Sequence, residues 1–159
     1  MSLQTARPEG LGVSPDLRQR LRKRLADSPA LRWLSPSMEE LELDRCVLRL
    51  PYRDEITNGS GTVHGGVLAT LADSAVAFAL ATNFDGKMGF ATTDLTIHFL
   101  HRARGVVWAR ARILKKGSRV NVGEVEIVDE AGREVARVLA TFVLTTSSFD
   151  YAPERTSTP

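Results

Sequence analysis

The chain is 159 residues long, 43% hydrophobic and 25% charged, which suits one globular domain large enough to bury a sizeable core. A net charge of +2 gives composition no case for nucleic acid, and the single cysteine, Cys46, rules out an intrachain disulfide and leaves a cysteine-based metal cluster without ligands. No basic n-region leads into an apolar h-region, and no window reaches the ~18 apolar residues of a membrane span, so the expectation is a cytoplasmic, soluble protein with no membrane contact.

Residues 1–13, with their Gly, Pro and Ser, read as poorly ordered. Ser14-Pro15-Asp16 opens a helix, with Ser at the N-cap and Pro in the first turn. Leu17, Leu21 and Leu25 recur every fourth residue and carry it to about Ala26. Its other face holds Arg18, Arg20, Arg22, Lys23 and Arg24 and reads as solvated. A shorter turn holds Leu31, Trp33 and Leu34 before Pro36. From Glu39 to Leu50 the period drops to two: Leu41 and Leu43 alternate with glutamates, then Cys46, Leu48 and Leu50 with Val47 and Arg49. One or two strands are expected there, joined at Asp44-Arg45 and ending at Pro51.

Next comes NGSGTVHGGVLATLAD, Asn58 to Asp73. Residues 66–83 are alanine-rich and apolar nearly all round, which predicts a helix buried on most sides, stopped at Asp85-Gly86. Beyond Met88 the pattern is beta. Leu95, Ile97 and Phe99 alternate with Asp94, Thr96 and His98 over residues 90–101, and residues 106–115 follow suit. After a turn at Lys116-Gly117-Ser118, residues 119–128 form a strand with Gly123 as a bulge. A turn from Asp129 to Gly132 leads to a last strand over 134–146, and the tail from Ser147 reads as frayed. The layout is α+β, with one long helix for an antiparallel sheet to wrap.

The glycine segment fits few chemistries. A dinucleotide fingerprint would need a third glycine where His64 stands, inside a βαβ unit. Val67-Leu68 stand where a phosphate loop needs Lys and Ser or Thr, and no G-x-S-x-G elbow occurs. His64, His98 and His101 are the only histidines, too few and too scattered for a metal site, with His98 and His101 read as facing opposite sides of a strand. A tight structural turn would account for the glycines but not for Asp73, the one formally charged residue between Gly65 and Asn83. A carboxylate in an apolar wall is paired, protonated or functional. It could bond backbone or an arginine across an interface. It could also act as nucleophile or general base, while a helix starting at Gly65 or Gly66 offers free N–H groups and a positive dipole end to an oxyanion. Gly65 and Asp73 are eight residues apart, roughly 12 Å along a helix. They cannot both reach one acyl carbonyl, so cooperation between them requires a homodimer with two composite sites.

Asn58, His64-Gly65-Gly66 and Asp73, at these spacings and followed by this strand order, resemble the signature of hotdog-fold acyl-CoA thioesterases. The nearest branch is the PaaI-like (phenylacetate-pathway type) group of the 4-hydroxybenzoyl-CoA thioesterase superfamily, and the resemblance spans about residues 37–146. It implies a hotdog fold, dimers with sheets paired edge to edge, and commonly a dimer of dimers. It implies that the Gly65 N–H polarises the thioester carbonyl and that Asp73 of the partner subunit is nucleophile or general base. His64 and Asn58 would organise the loop and orient thioester or water, and Thr92 falls where relatives carry a Ser or Thr near the attacking water. Arg102, Arg104, Lys116 and Arg119 would lie where relatives hold the CoA phosphates, although a basic turn such as 115–119 is by default simply solvated.

The resulting expectation is hydrolysis of an aromatic or medium-chain acyl-CoA, with no metal or cofactor. Residues 1–36 would be an extension, 37–147 the hotdog domain and 148–159 a tail. Two other classes compete: a hotdog acyl-CoA hydratase or dehydratase, and a non-catalytic acyl-CoA-binding sensor. The hydratase pattern spaces its His and acid differently, and about 35 residues with one clear helix are too short for a helix-turn-helix.

Overall fold

The computed structural model describes residues 12–85 and 88–148. The expected disorder of residues 1–11, the stop at Gly86 and the tail beyond Ser148 lie outside them. Helices α1 (Pro15–Asp27) and α2 (Pro29–Leu34) precede a hairpin of β1 (Ser37–Glu42) and β2 (Arg45–Leu50). A single 3-10 turn, Asp54–Ile56, leads to α3 (Gly65–Ala81), which ends in a second such turn, Thr82–Phe84. Strands β3 (Met88–Phe99), β4 (Val107–Lys115), β5 (Val120–Asp129) and β6 (Glu134–Ser148) follow. All six strands form one antiparallel sheet in the order β1-β2-β4-β5-β6-β3, so β1 and β3 are its edges.

Local signals set the ends of the elements. The Ser14 hydroxyl accepts the Leu17 N–H at 3.2 Å and caps α1, whose Leu17, Leu21 and Leu25 are buried. Val13, read as part of a loose leader, is buried with them at 6% exposure, because an apolar side chain just before the cap packs with the helix's apolar stripe. The tail expectation is corrected likewise: β6 runs on through Ser147 and Ser148. Asp44 takes the left-handed conformation in the β1–β2 turn, with φ 65°. Its N–H donates to the Thr82 hydroxyl, and its carboxylate accepts from Asn83 Nδ2 at 2.7 Å and Lys116 Nζ at 2.8 Å. One residue thus ties the first hairpin, the end of α3 and the β4–β5 turn together. Arg20 fastens α1 to the same end through a 2.8 Å bond to the Asp85 carbonyl.

Helix α3 lies chiefly over β2, β4 and β5. Residues Gly65–Phe84 are long and apolar enough to cross a membrane by composition, yet 72% of that apolar window is buried, as a core helix requires. The β5 face beneath α3 explains Gly123. The bulge expected there sits instead on the facing strand, at Leu114, where the register slips between Ile113 and Lys115. A Cβ on residue 123 would stand 2.5 Å from Val76 Cγ1 of α3. Glycine therefore sets how closely the helix approaches the sheet. Gly123→Ala is expected to lower stability by about 1–3 kcal/mol through overpacking, and denaturant unfolding without a shift in midpoint would contradict this.

Candidate active site

The loop before α3 is built by Asn58 and His64. The Asn58 side-chain oxygen accepts from the Ser60 and Thr62 N–H groups and from the Thr62 hydroxyl, which closes the loop on itself. The Val63 N–H donates to the Ala103 carbonyl and the His64 N–H to the Ile56 carbonyl. His64 is the N-cap of α3: its Nδ1 accepts the Gly66 N–H at 2.9 Å, which leaves the ring proton of the neutral form on Nε2. Val67 and Leu68 both donate to the His64 carbonyl. Among the described residues no acceptor is bonded to the Gly65 N–H. The choice left open between Gly65 and Gly66 therefore falls on Gly65, because the histidine ring already takes its neighbour. At the first position of a 17-residue helix, this donor sits at the positive end of the dipole.

Phe99 covers the other side of Gly65. A Cβ there would stand 2.9 Å from the Phe99 ring. The alternation of β3 marks Phe99 as a core residue; it is instead 55% exposed. It is the site residue that sequence reasoning misses, and its signal is its place as the last apolar residue of that strand. Phe99, Gly65, Leu68 and the loop wall a cleft of about 430 Å³ that also takes in Leu100, His101 and Arg102.

Asp73 lies two turns further along α3 and does not line this cleft. It is half-buried, and its Oδ1 accepts the Thr92 hydroxyl at 2.8 Å. Strand parity alone would put Thr92 on the solvent face with Asp94, Thr96 and His98. The register slips between Thr92 and Asp94, however: Thr92 is opposite buried Phe142, and Leu95 opposite buried Ala140. The extra residue, Thr93, turns Thr92 to the helix side together with Leu95 and Ile97. A β-bulge thereby completes the Asp73–Thr92 pair.

Burial raises the Asp73 carboxyl above its ordinary value of 3.8, and the Thr92 hydroxyl offsets this in part. A raised carboxyl favours the folded state when protonated. That contribution is fully present below the ordinary value and is lost as pH rises through the raised one. Asp73→Asn, neutral at every pH, is therefore expected to raise the thermal midpoint near neutrality, with the gain shrinking as pH falls through the raised value and levelling off at the ordinary one of 3.8. A lower midpoint for Asp73→Asn at neutral pH would refute this direction.

The four basic residues fall into two groups. Arg102 lines the Gly65 cleft, and Arg104 follows it on the same exposed segment. Lys116 and Arg119 belong to the β4–β5 turn, where Lys116 pairs with Asp44 beside the C-terminal end of α3. The length of α3, about 25 Å, separates the two groups within one chain. His98 is on β3, while His101 lies past its end rather than on the strand. Among the described residues no group of three or more His, Cys, Asp or Glu side chains is placed to hold a metal. Cys46 is buried, and burial pushes its thiol far up, so it is inert.

A family model described as "Domain of unknown function (DUF4442)" matches residues 20–144, beginning inside α1. A protein of Halobacterium salinarum named "Putative esterase" is 36% identical over 110 residues, 66% of this chain and 73% of that protein. Acyl-coenzyme A thioesterase PaaI of Escherichia coli is 34% identical over 92 residues, covering 57% and 64%. Among solved structures, that of the E. coli PaaI protein from the phenylacetic acid degradation operon aligns with a TM-score of 0.77 over 86% of this chain and 98% of that one. Its identity is 21%, so it speaks for the fold alone. A thioesterase family protein from Silicibacter pomeroyi aligns with a TM-score of 0.75 at 25% identity, over 80% and 97%.

Proposed function

The chain belongs to the DUF4442 family and is a PaaI-like hotdog thioesterase, and on that premise we propose that it hydrolyses an aromatic or medium-chain acyl-CoA at sites shared between two chains. Water and the acyl-CoA give the free acid and CoA thiol. The observation that carries the reading is the free Gly65 N–H in an open cleft, with the half-buried carboxylate of its own chain two helical turns away.

In this reading the thioester oxygen accepts the Gly65 N–H, whose partial positive charge stabilises the oxyanion as the carbonyl is attacked. Asp73 of the partner subunit attacks directly or removes a proton from water, and Thr92 fixes the orientation of that carboxylate. His64 carries Nε2–H and can donate to the thioester or the water, while Asn58 keeps the loop closed. The reaction needs no electron transfer, and no cofactor enters the proposal.

The fold supplies a route to the partner. β3 is a twelve-residue edge strand, one side of which pairs with no strand among the described residues. A long unpaired edge is a template for a second strand. Pairing two β3 edges antiparallel continues the sheet and sets two α3 helices side by side in opposite directions, each carrying its Asp73 toward the other's Gly65. We propose a homodimer of this kind, assembled further as a dimer of dimers, acting in the cytoplasm without nucleic acid or membrane. Arg102 and Arg104 of one chain, with Lys116 and Arg119 of the other, would hold the CoA phosphates. Residues 37–147 would form the catalytic domain, with 1–36 as an extension packed on it and 148–159 as a tail.

A free-thiol assay across phenylacetyl-, benzoyl- and C4 to C16 acyl-CoA tests the reading. Turnover is expected for at least one aromatic or medium-chain member. Absence of thiol from the whole panel would refute it, and a change at the double bond of an enoyl-CoA without thiol release would mean a hydratase.

A further inference from the structure

We infer that His101 binds the thiol-side arm of the substrate, accepting a hydrogen bond from an amide N–H of the pantetheine segment. The inference rests on the thioesterase reading and adds a residue which that reading does not use. His101 is exposed but fixed. Its ring Nδ1 lies 2.8 Å from the Glu134 carbonyl oxygen, and its backbone N–H shares the Val135 carbonyl with that of Leu100. Two residues on, the Ala103 carbonyl is bonded to the Val63 N–H of the glycine loop. The segment that carries His101 is thus tied both to β6 and to the loop that presents Gly65.

The bond to Glu134 sets the chemistry of the ring. A carbonyl oxygen only accepts, so Nδ1 carries the proton and Nε2 of the neutral imidazole is an acceptor. Among the described residues no donor is bonded to it. His101 and Gly65 line the same cleft. Beside them in that cleft are Phe99 and Leu100, 55% and 49% exposed, and Arg102. An apolar stretch, a lone acceptor and a guanidinium in sequence match a flexible arm of methylenes and amides that ends in phosphates. They do not match an acyl chain, which has no donor for Nε2. A carbonyl held at Gly65 can therefore send its sulfur side along Phe99 and Leu100 to His101, and its acyl side toward α3.

The test compares one acyl group carried on CoA, on pantetheine and on ethanethiol, the last having no amide. His101→Ala is expected to raise KM about three- to tenfold for the CoA and pantetheine thioesters, with kcat changed less than about twofold, as loss of one neutral hydrogen bond implies. The ethanethiol thioester should show no change in kcat/KM, and His101→Gln, which keeps an acceptor, should recover part of the loss. Binding of free CoA, read by calorimetry, should weaken by the same factor and requires no turnover. Unchanged KM and CoA affinity, or an equal loss on all three thioesters, would overturn the inference. An inactive wild type whose CoA affinity still falls in His101→Ala would sink the hydrolysis reading and leave the His101 contact standing.

Discussion

Asp73→Ala is expected to lower kcat by about 10²–10⁴-fold, the range for a missing general base or nucleophile, while leaving the assembly intact. The side chain is half-buried and bonded to one hydroxyl, so its removal opens no large hole in the core. Near wild-type turnover would eliminate Asp73 from the chemistry. The sharper form of the experiment mixes chains. An Asp73→Ala chain keeps an intact Gly65 end, and a Gly65→Pro chain, made together with Phe99→Ala to clear the ring that a Cβ would meet, keeps an intact Asp73. In a composite two-fold dimer, each heterodimer regains one complete site of two. After random exchange, half the dimers are mixed, so the activity regained is about a quarter of wild type. Heterodimers shown to have formed, yet without recovered activity, would count against sites shared between chains.

The second large effect concerns the Gly65 N–H. Proline at the first helical position is pre-organised for the helix and deletes only an N–H that makes no helical bond. His64, with ψ 136°, already has the extended conformation that a following proline demands. The obstacle is Phe99, 2.9 Å from where any Cβ would stand, so the comparison belongs in a Phe99→Ala background. There, Gly65→Pro is expected to run about 10²–10³-fold below Gly65→Ala in kcat, the usual effect of losing one oxyanion donor, with similar unfolding midpoints. Both variants place a Cβ against residue 99, and only proline, whose ring closes on the nitrogen, lacks the donor. Equal kcat would remove the Gly65 N–H from the mechanism.

Thr92 links the mechanism to pH. The carboxylate is the working form of Asp73, and burial, which raises its value, places the acid limb of kcat/KM above the ordinary 3.8 of an aspartate. Thr92→Val removes the bond that lowers it, so that limb is expected to move to higher pH. A shift to lower pH would contradict the role of the hydroxyl.

The amino-acid sequence by itself determined the element order, the single buried helix and the isolated carboxylate. Those signals are local. A serine cap, leucines every fourth residue, alternation along a strand and one Asp in an apolar run each lie within a few residues and act through backbone geometry. The separation of Gly65 from Asp73 is equally local, because helix rise converts it to distance. What only the tertiary structure decided depends on residues far apart in the chain. Strand parity puts Thr92 on the wrong face, and only the slipped β3–β6 register turns it toward Asp73. Gly123 reads as a bulge until Val76 is seen against it. The loose leader begins as far in as Val13 only if the core has no place for an apolar side chain, and it has one. The free donor is Gly65 rather than Gly66 because the His64 ring folds back on its own helix. Lys116 and Arg102 look alike in sequence but stand at opposite ends of α3, since Asp44 draws one of them to the far turn. Periodicity says which way a side chain points on average; register, bulges and the partners of polar groups are settled by packing across the sheet, where one residue of slip reverses every face.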